Sequence, residues 1–208
     1  MKNLFTTLFL LLTVLTVNAQ NEDYKMTAGI HAGYSLTGAL AKLITDSDPT
    51  STVNATATPA MQLTFDYGLS KLFSLGVAFS YQRIGFDATD FTYVDQDFNT
   101  RTETFKTSYT RTQIAIRPLI HYGNSDKLDM YSGFRIGILG RSFSDFESEN
   151  GEELDETVFN GSFGLGSRFS GCITAFGIRY YFTDNIGAGL EINTGAPYIV
   201  NAGVSARF

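Results

Sequence analysis

The chain has 208 residues and a formal net charge of −6 at pH 7, and only 17% of its residues are charged. This acidic balance argues against a nucleic-acid partner, because nucleic acids are bound through an excess of Lys and Arg. With 18 Phe, 11 Tyr and 20 Gly, the composition favours β structure. The single cysteine, Cys172, cannot form an internal disulfide and is predicted to pack as a small hydrophobic residue.

The N-terminus carries the pattern of a secretory signal peptide. Lys2 supplies the positive charge, Leu4–Val17 is an uncharged apolar segment, and Val17–Ala19 offers small residues for cleavage. The apolar segment is too short and wrongly flanked for a spanning helix. We therefore expect residues 1–19 to be a cleaved export signal and residues 20–208 to be the mature domain. That domain has no apolar run of helix-spanning length, so in a membrane it would need to be a closed barrel.

The mature domain divides into eight segments in which apolar and polar residues alternate, which is the period of a β-strand. At roughly ten residues each, they have the length of tilted membrane strands. Their predicted ranges are Met26–Leu36, Ala57–Leu69, Phe73–Gln82 and beyond, Tyr109–Tyr122, Leu128–Arg141, Cys172–Phe182, Ile186–Gly195 and Val200–Phe208.

The predicted connections alternate between long and short. Long loops follow the first, third and fifth strands, the last two at Ile84–Ser108 and Ser142–Gly171. Short turns follow the second, fourth, sixth and seventh strands, as at Leu69–Leu72 and Thr183–Asn185. Because outer-membrane barrels have short periplasmic turns and longer extracellular loops, we expect both chain termini to be periplasmic.

The two faces of the strands differ in polarity. One is almost uniformly apolar, and the other carries Gly, Ser, Thr, Gln, Asn and charged residues. A lipocalin-like barrel would have the reverse arrangement, with an apolar lumen. In water, a barrel with a polar interior would expose a large apolar belt, whereas in lipid that belt faces acyl chains. The predicted fold is all-β, an eight-stranded antiparallel up-and-down transmembrane β-barrel.

Aromatic residues on the apolar face cluster near the short turns, where they predict a membrane girdle built without Trp. They are Tyr67, Phe73, Tyr122, Tyr180, Phe182 and Phe208. The segment Phe176–Phe208 combines Gly-Ile-Arg-Tyr-Tyr-Phe, Gly-x-Gly-x-Glu and an alternating closing strand with a terminal aromatic residue. In these features the chain resembles the small outer-membrane protein β-barrel domain family, with its OmpA-type and OmpX-type members. The resemblance implies a Gram-negative outer-membrane location, contact with lipid and lipopolysaccharide, and recognition of the closing strand by the barrel assembly machinery.

The polar face carries charged residues, which a narrow lumen must hold in pairs because an unpaired buried charge is costly. Glu191 is central by position, with Arg117, Arg135 or Arg179 as its expected partners. The predicted lumen charge network comprises Asp66, Arg117, Arg135, Arg179 and Glu191, and Arg111 and Arg207 are also expected to face inward. The network could be a structural plug, or it could line a gate or narrow ion path. Eight strands leave an interior just wide enough for side chains, which limits any pore.

Enzymes that modify lipid A also use eight-stranded barrels, so the fold alone leaves such an activity open. Their chemistry needs a His with a Ser or comparable partner. The two histidines, His31 and His121, fall on the lumen face and are interpreted as buried, hydrogen-bonded residues. We found no Ser-His-acid arrangement, metal cluster or phosphate loop, and therefore predict no catalytic residue, no metal and no cofactor.

Two of the long loops have distinctive compositions. All charged residues of Asp145–Glu156 are acidic, and Gly151 is misplaced for an EF-hand, so a solvated loop and weak divalent binding beside lipopolysaccharide phosphates both stay open. Residues 86–109 could extend two strands as a protruding hairpin, either self-packed or free to bind a surface protein by strand addition. The aromatic residues of that region are Phe86, Phe91, Tyr93, Phe98, Phe105 and Tyr109.

Together these observations predict a monomeric, integral outer-membrane barrel with a structural or surface-interaction, adhesin-like role and no enzymatic activity. A low-conductance, porin-like channel for small solutes is the second interpretation, because the lumen is polar. A barrel enzyme that modifies lipid A is the third. Conductance separates the channel from the first interpretation.

Overall fold

The computed structural model of the chain describes residues 26–46, 52–94, 100–124, 127–148, 168–195 and 197–208. These residues form nine β-strands and one helix. In chain order they are β1 Met26–Tyr34, α1 Leu36–Asp46, β2 Val53–Ala57, β3 Ala60–Gly68, β4 Phe73–Val94, β5 Thr100–Asn124, β6 Leu128–Ser148, β7 Arg168–Tyr181, β8 Ile186–Gly195 and β9 Val200–Arg207.

The strands close into an eight-stranded antiparallel barrel, as predicted. From β3 to β9 each strand pairs with the next in the chain, and β1 pairs with both β3 and β9. The β1–β9 ladder runs from Thr27 opposite Arg207 to Tyr34 opposite Val200. β2 and β3 both pair with β4, so these two segments act as one interrupted barrel strand and nine segments make eight barrel strands.

Alternation along the strands sorts side chains to the two faces of the wall, also as predicted. Most of the outward apolar side chains are exposed, and they form a continuous belt around the barrel. One residue from each barrel strand illustrates this belt: Ile30, Leu63, Val77, Ile116, Phe134, Ile173, Leu190 and Val204. Among the residues that the structure describes, no helix is both long and apolar enough to cross a membrane.

The barrel has two different ends. The short-turn end holds Met26, Phe208 and the turns after β3 and β7, where Leu69 N donates to Phe73 O at 2.8 Å and Phe182 N donates to Ile186 O at 3.1 Å. At the opposite, long-strand end, β4, β5 and β6 run on well past the other strands.

Two predicted loops prove to be largely regular structure. The first contains α1, and Leu36, the predicted last residue of the first strand, begins that helix instead. Ser35 caps the helix, accepting a hydrogen bond on Oγ from Gly38 N at 3.0 Å. The predicted loop Ile84–Ser108 is mostly a hairpin, because β4 continues to Val94 and β5 begins at Thr100.

The sequence pattern also placed one side chain on the wrong face. Strict alternation back from the inward Arg179 predicts an inward Ala175, but this residue lies exposed beside Phe176. The β7–β8 register shifts between Thr174 and Phe176, so β7 carries a bulge there. A bulge places one extra residue in one strand and so interrupts strict alternation. As a result, Thr174, Gly177 and Arg179 all face the lumen, whereas Ala175 does not.

Candidate functional site

A buried cluster of charged and aromatic side chains fills the lumen, and Glu191 is at its centre with no exposed surface. Its Oε1 accepts hydrogen bonds from Arg117 NH2 and from Tyr131 OH, each at 2.8 Å. Its Oε2 accepts one from Asn201 Nδ2 at 2.9 Å and a longer one from Tyr198 OH at 3.4 Å. Both carboxylate oxygens are therefore satisfied without water.

Asp66 joins two arginines from different strands. Its Oδ2 accepts a hydrogen bond from Arg179 NH2 at 2.5 Å. Arg117 Nε lies 3.1 Å from Asp66 Oδ1, which is ion-pair distance, although the N–H does not point at that oxygen. Because Arg117 also binds Glu191, the three strands β3, β5 and β8 are tied together across the lumen.

The network continues to a third carboxylate near the short-turn end. Arg179 NH1 lies 3.4 Å from Asp129 Oδ2, and the same guanidinium sits 4.4 Å from the centre of the Tyr131 ring. We call Asp66, Arg117, Asp129, Arg179 and Glu191 the lumen network. It holds three carboxylates and two guanidiniums, so each buried charge has an opposite charge beside it, as a low-dielectric interior requires.

Asp129 also anchors a Ser-His-Asp hydrogen-bond chain, which corrects the expectation that no such arrangement exists. His121 Nδ1 lies 2.6 Å from Asp129 Oδ1, and His121 Nε2 lies 2.9 Å from Ser74 Oγ. These distances match those between a nucleophile, its base and the orienting acid. However, Ser74 lies inside paired β4 with ladders on both sides, and such ladders use the backbone N–H groups that an oxyanion hole needs. The arrangement is best suited to joining β4, β5 and β6.

Of the three arginines expected as alternative partners of Glu191, Arg117 makes the ion pair, and among the described contacts Arg135 has no hydrogen bond or ion pair with that carboxylate. Its NH1 donates to Gln62 Oε1 at 2.5 Å and to Tyr198 OH at 2.7 Å, and its NH2 donates to Asn193 Oδ1 at 2.8 Å. Among the described side chains, no carboxylate lies within ion-pair distance of Arg135. Its connection to Glu191 runs through the Tyr198 hydroxyl, which bonds both.

Sequence reasoning missed two central tyrosines, Tyr131 and Tyr198, which are fully buried. Tyr131 lies on the inward face of β6, and alternation alone could have assigned it there. Tyr198 precedes β9 and has no such periodic signal. Glycines make room for both rings: a Cβ at Gly177 would overlap the Tyr131 ring, and one at Gly33 would lie 2.8 Å from Tyr198 Cγ.

The remaining inward residues predicted from the sequence have separate surroundings. His31 is buried, with Nε2 3.4 Å from Thr64 Oγ1. Cys172 is buried and free, with Arg135 NH2 3.5 Å from its sulfur. Arg207 stays at the short-turn end, where Nε donates to Asp184 O at 2.6 Å. Within the described part of the chain, no group of His, Cys, Asp and Glu could hold a metal ion.

The six aromatic residues predicted to form a girdle all lie at the short-turn end. Five of them are 50–69% exposed, and Tyr67 is half-buried. The exposed five are Phe73, Tyr122, Tyr180, Phe182 and Phe208. A second set of exposed aromatic residues, not predicted from the sequence, lies towards the long-strand end and contains Tyr34, Tyr81 and Phe169. From Phe73 to Tyr81 is about 27 Å along β4, or roughly 21 Å at a 40° tilt, close to the height of an outer-membrane apolar band.

The aromatic residues of the extended hairpin fall into two groups. Phe86, Phe105 and Tyr109 are half-buried, and the rings of Phe86 and Tyr109 pack against Phe143, with ring centres 6.3 and 5.2 Å away. Phe86 and Tyr109 therefore pack against the protein's own β6 and do not form an exposed aromatic edge. The side chains of Phe91 and Tyr93, all of Phe98, the side chains of Asp145–Ser148 and all of residues 149–156 lie outside the described residues.

Comparison with known families now assigns the chain. Residues 18–208 match the family described as the outer membrane protein beta-barrel domain. The chain belongs to the outer membrane protein beta-barrel domain family. That membership locates this family member in the outer membrane and agrees with the closed barrel and its apolar belt. No curated protein is significantly similar to it in sequence.

Solved structures similar to this family member include other outer-membrane barrels. The attachment invasion locus protein Ail of Yersinia pestis, in complex with the heparin analogue sucrose octasulfate, is 11% identical, with 89% of this chain and 98% of that chain covered and a TM-score of 0.41. OprG of Pseudomonas aeruginosa is 9% identical, with coverages of 89% and 95% and a TM-score of 0.46. Outer Membrane Protein W of E. coli is 13% identical, with coverages of 89% and 97% and a TM-score of 0.43. At these identities the similarity concerns the fold alone.

Proposed function

We propose that this outer-membrane barrel is a closed structural scaffold that presents its extended β4–β5 hairpin as a surface for binding another protein. The observation that carries the first half is the lumen network. Arg117 and Glu191 have no exposed surface, and their contacts tie together β3, β5 and β8 across the interior. With side chains filling an eight-stranded interior, a continuous water path has no room.

The hairpin beyond the barrel wall supports the second half. β2 pairs with β4 only as far as Ala88, and β6 pairs with β5 only as far as Phe105. Farther out, among the described residues, Phe91–Val94 pair only with Thr100–Glu103, so this outer part of the hairpin is a two-stranded ribbon. In the described part of the chain, no third strand pairs with either edge of this ribbon. Unpaired edges are templates for strand addition by a partner.

A β-bulge with one residue in the left-handed region interrupts β4 at the base of the ribbon. Asp90 has a φ of 53°, and the β4–β5 register shifts between Ala88 and Phe91. Asp90 N donates to Thr104 Oγ1 at 3.2 Å, which holds the bulge on its partner strand. A bulge of this kind bends a strand and re-aims what lies beyond it. The proposed partner therefore meets an edge that projects away from the membrane belt.

This proposal includes an orientation. The short-turn end, with both ends of the described barrel, is taken to face the periplasm, and the long-strand end the exterior. Residues 1–19 are taken as the export signal. The outward belt and the two sets of aromatic residues are taken to contact membrane lipid and lipopolysaccharide. The closing β1–β9 seam, including the reciprocal backbone bonds of Met26 and Phe208 at 3.1 and 2.8 Å, is the surface proposed for the assembly machinery.

The test compares the full chain with a variant in which residues 90–104 are replaced by an Asn-Gly turn. Both proteins are expected in the outer-membrane fraction, with the same heat-dependent gel migration, because the shortened segment lies outside the barrel wall. Cells that display the variant should attach less to protein-coated surfaces than cells that display the parent chain. Equal attachment would contradict the binding role, and recovery of the parent chain in soluble periplasm would contradict the location.

A further inference from the structure

Two arginines face each other in the lumen at the long-strand end. Arg111 on β5 and Arg141 on β6 are direct register partners. Both lie on the inward face, since their neighbours Thr112 and Gly140 occupy the outward rung and Gln113 the next inward one. Directly opposed residues have Cα atoms about 4.5–5.5 Å apart. Like charges at such positions destabilise a sheet unless something neutralises them.

The hydrogen-bond partners of Arg111 are all neutral. NH1 donates to Thr37 Oγ1 at 2.6 Å, and NH2 donates to Gln82 Oε1 at 3.1 Å and to Pro197 O. Arg111 is 6% exposed, and its Nε is buried with no hydrogen-bond partner. Neutral hydroxyl, amide and carbonyl oxygens therefore hold the Arg111 guanidinium in place, but none of them carries a negative charge that would balance it.

The Arg141 guanidinium has more buried nitrogens without a hydrogen-bond partner than the Arg111 guanidinium. Its Nε and NH2 are both buried, and neither has a hydrogen-bond partner. These two nitrogens form the edge of a guanidinium that binds an oxyanion through two parallel hydrogen bonds. In the described residues, no carboxylate lies within ion-pair distance of Arg111 or Arg141. An uncompensated buried charge is expensive, and here two of them face each other, so a counter-charge between the two guanidiniums would be strongly favourable.

We propose that Arg111 and Arg141 form a binding site for a soluble tetrahedral oxyanion, such as sulfate or phosphate, that enters the lumen from the long-strand end. Arg141 supplies Nε and NH2, and Arg111 supplies Nε. Thr37 and Gln82 hold Arg111 in position from α1 and β4. The barrel wall lies between this site and the surrounding lipid, so the anion is one in solution or carried on a soluble molecule rather than a lipid headgroup.

The experiment measures urea unfolding of the full barrel in an uncharged detergent, with sodium sulfate titrated against sodium chloride at matched ionic strength. Arg141→Gln and Arg111→Gln each remove one charge of the pair. Lys106→Gln removes one charge from an exposed position on the same strand β5 and serves as the matched control. Sulfate also stabilises proteins by exclusion from their surface, and that effect is common to all variants.

For the parent chain and for Lys106→Gln, we expect a saturable stabilisation at millimolar sulfate, and inorganic phosphate should reproduce it. In Arg141→Gln the apparent affinity should fall at least tenfold, and the anion-free protein should become more stable, because the like-charge repulsion is relieved. A loss of affinity together with greater stability distinguishes a ligand site from a structural role, in which removing Arg141 would only destabilise the barrel.

Three results would overturn the proposal. The first is an equal response to sulfate in the parent chain and in both arginine variants. The second is a response that appears only after anionic lipid is added to the detergent, since the source would then be a headgroup. The third is a response only in a variant whose acids in residues 145–156 are replaced by amides, because carboxylates of the chain itself would then neutralise the pair.

Discussion

The lumen contains two arginine-bearing regions with opposite electrostatic designs. Around Glu191, two arginines meet three carboxylates, and every charged group lies beside an opposite charge. At the long-strand end, Arg111 and Arg141 face each other without a described carboxylate. They lie far apart, since Arg111 is six residues from Arg117 along β5, or roughly 20 Å. Balanced charge therefore fills the middle of the barrel, whereas the unbalanced pair lies at the long-strand end, where the proposed anion would enter.

The largest effect is expected for Arg117→Gln, because this change removes the guanidinium that joins Asp66 to Glu191. Breaking a buried pair costs about 3–5 kcal/mol, since the remaining charge is stranded. Arg135→Gln is the matched control, with neutral partners and an expected loss of about 1–3 kcal/mol. Urea unfolding in detergent measures both. An equal loss of unfolding free energy in the two variants would mean that Arg117 and Arg135 have the same role. It would contradict the distinction between charge-paired and neutrally bonded arginines.

Glu191→Ala should destabilise the barrel by a similar amount, about 3–5 kcal/mol, because it leaves Arg117 with Asp66 alone and removes the acceptor of two tyrosine hydroxyls. Glu191→Gln retains the shape but not the charge and separates the two contributions. Asp87→Ala, at an exposed position, should leave the unfolding midpoint unchanged. A midpoint for Glu191→Ala equal to that of the parent chain would show that Glu191 is not in a buried network.

Close packing around Tyr131 gives a smaller prediction. A Cβ at Gly177 would overlap the Tyr131 ring, so Gly177→Ala should cost about 1–3 kcal/mol through overpacking. Gly171→Ala on the same strand is the control, because its Cβ would meet Arg135 O at an ordinary 3.8 Å. Tyr131→Leu in the Gly177→Ala background should recover part of the loss. An unchanged unfolding midpoint in Gly177→Ala would contradict this account of the interior.

The smallest effect is expected at the Ser-His-Asp chain. Ser74→Ala removes one hydrogen bond to His121 and should cost about 1 kcal/mol. Because the ladders on both sides of β4 use its backbone N–H groups, Ser74 should not react with a fluorophosphonate probe that labels activated serines. The check is mass spectrometry of the labelled barrel. Covalent labelling of Ser74 that is lost in His121→Asn would instead identify a nucleophile and contradict the structural role.

Alternation in the sequence was sufficient to predict most of the barrel, because a period of two assigns each side chain to the lipid or to the lumen. It therefore placed Asp66, Arg117 and Glu191 together on the inward face. It could not choose the partner of Glu191, which depends on the stagger between strands that are distant in sequence. Arg117 binds the Glu191 carboxylate, whereas Arg135 donates its hydrogen bonds to Gln62, Tyr198 and Asn193.

Other misses came from features that do not follow a period of two. The bulge in β7 places Ala175 on the outward face. Tyr198 precedes β9, so it lies outside the alternating residues of that strand. α1 carries Leu36, Leu40 and Leu43 at helical spacing after Ser35, so a signal was present in the sequence, but the segment had been assigned to a strand end and a loop. The Ser74–His121–Asp129 chain joins the three neighbouring strands β4, β5 and β6, and only their register reveals it.

Single-channel recording in a planar lipid bilayer tests the central claim, that the lumen network closes this barrel, most directly. The purified full chain should give no resolved current steps, and Glu191→Ala should give steps or increased noise, because water can then pass the loosened network. Urea unfolding of the same samples verifies that the variant is folded. Stable, reproducible channels in the parent chain, with the same conductance in Glu191→Ala, would contradict the account.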